Sequence, residues 1–162
     1  MCAAVFLSAL SIAAAQHPPI DATVTGRTVT GSIAWSNPSL KLSGTLEAEP
    51  GQRLYLVEIA VGTSDVAAEL AAFRLTVDAA EYVAMAAGGA ANLLFPIDVL
   101  VPGHEMMQIL PVDGIISVTR NSETSVTVET TPRATLALLF EIPENASVRA
   151  LKLPDGTTRP LK

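Results

Sequence analysis

Arg53-Leu54-Tyr55-Leu56-Val57-Glu58-Ile59-Ala60-Val61-Gly62 is the stretch whose reading decides the fold class. Tyr55, Val57, Ile59 and Val61 form one apolar row at a period of two, and Leu54, Leu56 and Ala60 form most of the other. A strand apolar on both rows belongs in the middle of a sheet with cover on two sides. Glu49-Pro50-Gly51-Gln52, just before it, has the Pro-Gly order of a tight turn. Glu58 interrupts the second row, so its carboxylate must face solvent or take a partner such as Arg74 or Arg149.

Outward from this strand, the same alternation recurs. Phe73, Leu75 and Val77 share one side of Phe73–Asp78, with Arg74, Thr76 and Asp78 on the other. Ala134–Ile142 places Leu136, Leu138, Phe140 and Ile142 on one face, between Pro132 and Pro143. Ile115–Arg120 and Thr124–Thr130 flank the polar Asn121-Ser122-Glu123 and read as a hairpin, with Val126 and Val128 inward and Thr127 and Glu129 toward water. Val148–Leu153 reads as the last strand before the turn Pro154-Asp155-Gly156-Thr157. Weaker strands fit Ala22–Thr30, Ser32–Ser36, Leu40–Leu46 and Leu93–Val101. Ser64–Ala72, rich in alanine, reads as one or two turns of helix, and Ala79–Ala91, with Gly88-Gly89, as a mobile crossover. The sum is an all-β chain, an antiparallel immunoglobulin-like β-sandwich of about seven to nine strands.

The chain has 162 residues, 49% of them hydrophobic, which suits one globular domain and excludes intrinsic disorder. Lys and Arg total 10 against 16 Asp and Glu, a net charge of −6 that repels phosphate backbones and anionic lipid heads. No nucleic acid is therefore expected as a partner. Cys2–Ala15 is an uncharged apolar run ending in Ala13-Ala14-Ala15, shaped like the h-region and cleavage site of a signal peptide, although no Lys or Arg precedes it. It is shorter than the roughly 20 residues a spanning helix needs, and membrane insertion of the mature domain is not expected. The division is then a signal peptide or retained apolar segment over 1–16, a Pro-rich spacer over 17–21 and the sandwich over 22–162. The location is exported, either periplasmic or extracellular at the cell surface. Cleavage would remove Cys2, the only cysteine, leaving no disulfide and no thiol chemistry. Retention of residues 2–15 would instead allow a donated segment to build an extracellular polymer.

The run Pro50-Gly51-Gln52-Arg53 into Leu54–Val61, then Phe73-Arg74-Leu75, then Ala134–Ile142 into Pro143-Glu144-Asn145-Ala146, resembles the telokin-like immunoglobulin-fold domain of bacterial secreted proteins and lipoproteins. In that family a Pro-Gly lead-in opens a central strand, and a Phe-x-Val/Ile-Pro ending, here Phe140-Glu141-Ile142-Pro143, closes the penultimate one. The resemblance spans roughly residues 22–156. The chain departs from it at Gly62-Thr63-Ser64, where an Asn is usual, and in the alanine-rich insertion. The resemblance implies a fold and a compartment. The family shares no catalytic residues that could be carried over.

No nucleophile elbow, His-Glu-x-x-His, P-loop, Gly-x-Gly-x-x-Gly or EF-hand spacing occurs. Asp98, Glu105 and Asp113 are close in sequence, and carboxylate catalysis would require two buried acids facing one cleft. In His104-Glu105-Met106-Met107, His104 and Met106 would share one side of a strand and, with Met85, offer the imidazole and thioether set that suits Cu(I). The same residues also read as a Pro-Gly turn followed by an apolar strand. Trp35, Tyr55 and Tyr82 could form a sugar-stacking platform or fill the core. Asn145-Ala146-Ser147 matches a glycosylation sequon. The expected function is a non-enzymatic, exported module that binds or scaffolds an unidentified protein partner in the cell envelope, with no catalytic residue and no cofactor. The alternatives are a periplasmic copper binder and the polymer subunit.

Overall fold

The central strand forms as the sequence requires, and the rest of the chain arranges itself around it. The computed structural model describes residues 18–37, 42–89, 92–94, 107–109, 116–122 and 125–161. These carry fifteen strands: β1 (Ala22–Thr30), β2 (Ser32–Asn37), β3 (Leu42–Glu47), β4 (Gln52–Val61), β5 (Val66–Glu69), β6 (Arg74–Val77), β7 (Ala80–Val83), β8 (Ala86–Gly89), β9 (Asn92–Leu94), β10 (Met107–Ile109), β11 (Ile116–Arg120), β12 (Val126–Thr130), β13 (Thr135–Pro143), β14 (Val148–Lys152) and β15 (Thr158–Pro160). One 3-10 turn, Leu70–Ala72, joins β5 to β6, and the described residues contain no α-helix. The sheets run β1-β4-β13-β8-β9, β10-β11-β12-β5, β15-β14-β6-β7 and β2-β3, and every strand pair is antiparallel. The molecule is an antiparallel all-β sandwich. Its strands are shorter and more numerous than the seven to nine expected.

β4 lies between β1 and β13, and its two rows part as their spacing dictates. Tyr55, Val57, Ile59 and Val61, with Leu136, Leu138, Phe140 and Ile142 of β13, form one face of the main core. Phe73, Leu75 and Val77, Ile116 and Val118, Val128 and Leu151 meet them from the second and third sheets. Leu54, Leu56, Ala137 and Leu139 point the other way, where Ile33 and Leu46, a cross-strand pair of the β2–β3 hairpin, cover them. Fully burying a side chain of this size contributes roughly 1.5–3 kcal/mol. Both rows therefore stabilise the sheet, which explains why β4 is apolar on two sides. The turn before it closes with the Gln52 N–H donating to the Glu49 carbonyl at 2.8 Å and with Gly51 at φ +80°. That is the glycine position of a type II turn.

Four expectations are corrected. Ser64–Ala72 is helical only at its end, in the 3-10 turn Leu70–Ala72; before it Val66 and Ala68 are buried at a period of two in β5, which pairs with β12. Ala79–Ala91 holds β7 and β8: Ala86 belongs to the smaller cluster and Ala87 to the main core, so β8 is closed in on both faces and only small residues fit. The tertiary site overrides the propensity of alanine in both segments. β14 is not the last strand, since β15 follows the turn and pairs with it. Ile20, in the stretch read as a spacer, is buried in the core, so packing begins upstream of Ala22.

Candidate functional site

β1 is the longest strand at a sheet edge, with nine residues, no proline and one charge, Arg27. Among the described residues the other outer strands are shorter: β2 and β3 have six residues each, β5 and β7 four, and β9, β10 and β15 three, β15 including Pro160. Among the described residues, nothing pairs with the side of β1 turned away from β4. Its carbonyls show which way they point. The Asp21 carbonyl accepts the Gly62 N–H at 2.7 Å, toward β4. Those of Ile20 and Ala22 point outward and are taken by a side chain: Arg159 donates from Nη2 to Ile20 at 3.1 Å and from Nε to Ala22 at 2.8 Å. The guanidinium of β15 thus stands where an incoming strand would place its N–H groups, and caps the first part of the edge.

Beyond Ala22 the edge has two unlike faces. The register with β4 puts Val24, Arg27 and Val29 opposite Ile59, Val57 and Tyr55, on the side of the main core, and Thr23, Gly26, Thr28 and Thr30 on the other side. A bulge at Thr25 separates Val24 from Gly26, and the Thr25 hydroxyl donates to the Glu58 carbonyl at 3.3 Å. A Cβ on Gly26 would meet the carboxylate end of the Glu58 side chain, which would have to swing aside. Val29 is 50% exposed, an unusual state for a valine on the core side of a sheet. Val24, Thr25, Gly26 and Arg27 face Pro160 and Leu161 across an open cleft of about 410 Å³. Arg27 is exposed and makes no ion pair among the described residues.

Asp155 fastens the start of this edge. Its Oδ2 accepts the Ile20 N–H at 2.6 Å, and its Oδ1 accepts the Thr157 N–H at 2.9 Å and hydroxyl at 2.7 Å. Burial pushes the carboxyl upward, but these donors and the nearby Arg159 charge outweigh it and hold the group below the usual aspartate range.

Of the other residues weighed from sequence, Met85 is half-buried and packs against the cluster of Leu54, Leu56 and Leu139. His104 and Met106 lie outside the described residues, as do Asp98, Glu105 and Asp113. Tyr55 is buried in the core and cannot belong to an exposed platform. Tyr82, half-buried, lines a notch with Asp78 and Asn145. Glu58 does not pair with Arg74, which bonds Glu81 at 3.0 Å, while Lys152 reaches the same carboxylate at 3.1 Å. The Arg74 guanidinium foremost, and the Lys152 ammonium with it, hold Glu81 below the usual glutamate range. Asp65 and Glu129 line an open cleft of about 340 Å³ with Ser117, and both acids are exposed. Sequence reasoning missed Arg159, whose one signal was an arginine following the Asp-Gly turn.

Comparison with protein families, curated proteins and solved structures finds no match to this chain.

Proposed function

We propose that this chain is an exported, non-enzymatic immunoglobulin-like module that holds a protein partner in the cell envelope by accepting a strand of that partner along β1. The observation that carries the reading is the nine-residue edge of β1, whose side away from β4 has no strand partner among the described residues and is capped at its start by Arg159. An added strand satisfies backbone donors and acceptors that no strand among the described residues meets, and reads alternate side chains through the flanking cleft. Val29 and the Val24–Leu161 cleft supply apolar surface for such alternate side chains. The Cys2–Ala15 segment supports export.

The test has two arms. The mass of the native chain from an envelope fraction should place its first residue near Gln16; an intact amino terminus in the cytoplasm overturns export. In-cell crosslinking should then join partner peptides to Thr23–Thr30, and Val29→Pro, at a residue opposite Tyr55 whose N–H faces away from β4, should abolish those links without unfolding the sandwich. Crosslinks that never touch β1 overturn the strand-accepting role. An intact chain whose crosslinks join residues 2–15 of one copy to β1 of another replaces the module with a polymer subunit.

A further inference from the structure

We infer that the strand received by β1 comes from a protein segment with a carboxylate at the position facing Arg27, flanked at alternate positions by β-branched apolar residues. This rests on the reading of β1 as a strand-accepting edge and adds the chemistry of the occupant. On the core side of the edge the order is Val24, Arg27, Val29, and Leu161 and Pro160 wall the cleft beside the first two. A paired strand presents every second residue to that side. Opposite Val29 it meets exposed apolar surface, opposite Val24 a half-buried valine beside Leu161, and opposite Arg27 a cation that makes no ion pair among the described residues. The other side of the edge is Thr23, Gly26, Thr28 and Thr30, which suits Ser or Thr in the partner.

Charge separates this occupant from a second β1 and from the chain's own amino-terminal segment. A second copy pairing through its β1 would bring another arginine as that strand's single charge, and like charges across a strand pair are unfavourable. The segment Cys2–Ala15 has no acidic residue at all. Neither one neutralises Arg27.

The peptide Ac-Thr-Val-Thr-Glu-Thr-Val-Thr-amide and its counterpart with Lys in place of Glu are titrated into the isotopically labelled protein, with backbone amide shifts as the readout. The acidic peptide should shift the amides of Thr23–Thr30 and bind about three- to tenfold more tightly than the basic one, the range expected when an exposed pair changes from attraction to repulsion. Arg27→Glu, at an exposed side chain, should reverse the order, and Arg27→Gln should bring the two affinities together. Equal affinities at β1 in the unmodified protein overturn the acidic occupant and leave the edge standing. Shifts only elsewhere, or none with either peptide at millimolar concentration, overturn both. Concentration-dependent dimerisation that broadens the β1 amides without peptide assigns the edge to a second copy and also overturns the proposal.

Discussion

At Asp155 one carboxylate ties the start of the chain's packed region to its last hairpin, through the Ile20 N–H on one oxygen and both Thr157 donors on the other. A group whose folded pKa lies below its unfolded value stabilises the fold above the unfolded pKa, and that contribution disappears as pH falls through the folded value. Asp155→Asn keeps the shape, loses the charge and turns one amide face toward donors. It should lower stability by about 1–3 kcal/mol at pH 7. The gap between variant and parent should close as pH falls below the ordinary aspartate range, where the parent's carboxyl takes up its proton. Urea unfolding at pH 7 and at about pH 2.5 measures it, and a gap that persists in acid would show that the carboxylate charge is not the cause. Glu81 gives a contrast within the same measurement. Arg74 and Lys152 hold it in its charged form, but the cluster is open to water and screened by salt, so Glu81→Gln should leave the midpoint nearly unchanged.

Elements differ in how far the sequence alone defines them, and the difference follows from what their neighbours decide. β4, β6 and β13 carry large apolar side chains at a period of two, so the burial pattern and the residue pattern coincide. β5 and β8 are built from alanine and glycine, whose small side chains fit helix, loop or crowded strand; pairing with β12 and β13 settles the matter, and that pairing is long-range. β15 escapes notice because it is short and ends at Pro160, yet it supplies the residue that matters most to the edge. The Val24-Arg27-Val29 row was hidden for another reason: the bulge at Thr25 shifts the alternation, so Arg27 shares a face with valines on both sides of it. Arg159→Met keeps most of the aliphatic stem and removes both donors to the Ile20 and Ala22 carbonyls. The loss should cost about 1.5–3 kcal/mol, as for hydrogen bonds to a charged group. It should also lengthen the open edge and make the protein associate at concentrations where the parent stays monomeric, because uncovered edges pair with one another. Chemical unfolding reads the first effect and sedimentation velocity the second. A destabilised but strictly monomeric variant would reduce Arg159 to a local clamp.

The whole molecule sets two conditions that no single strand does. The central sheet is covered on both faces, once by the second and third sheets and once by the β2–β3 hairpin, so the row Leu54, Leu56 and Leu139 is core although it points away from the main cluster. Leu139→Ala should therefore cost about 2–5 kcal/mol, comparable with Leu138→Ala on the opposite face. A loss below about 1 kcal/mol in a thermal or urea melt would mean that the hairpin does not seal that face in solution. The second condition is electrostatic. A chain of net charge −6 repels an acidic partner at a distance even where Arg27 attracts it on contact. The two effects respond differently to salt: the Debye length falls to about 10 Å at 0.1 M, which removes the long-range repulsion while sparing more of a close pair. A peptide with a single Glu should thus bind β1 with an affinity that changes less than about threefold between roughly 20 and 200 mM salt. A peptide carrying three or four further Glu residues outside the paired region should bind more tightly as salt rises, since its extra charges feel mainly the repulsion. If affinity for the second peptide instead falls with salt, the surface around β1 is positive on the scale of the partner, and the attraction is a field rather than a contact at Arg27.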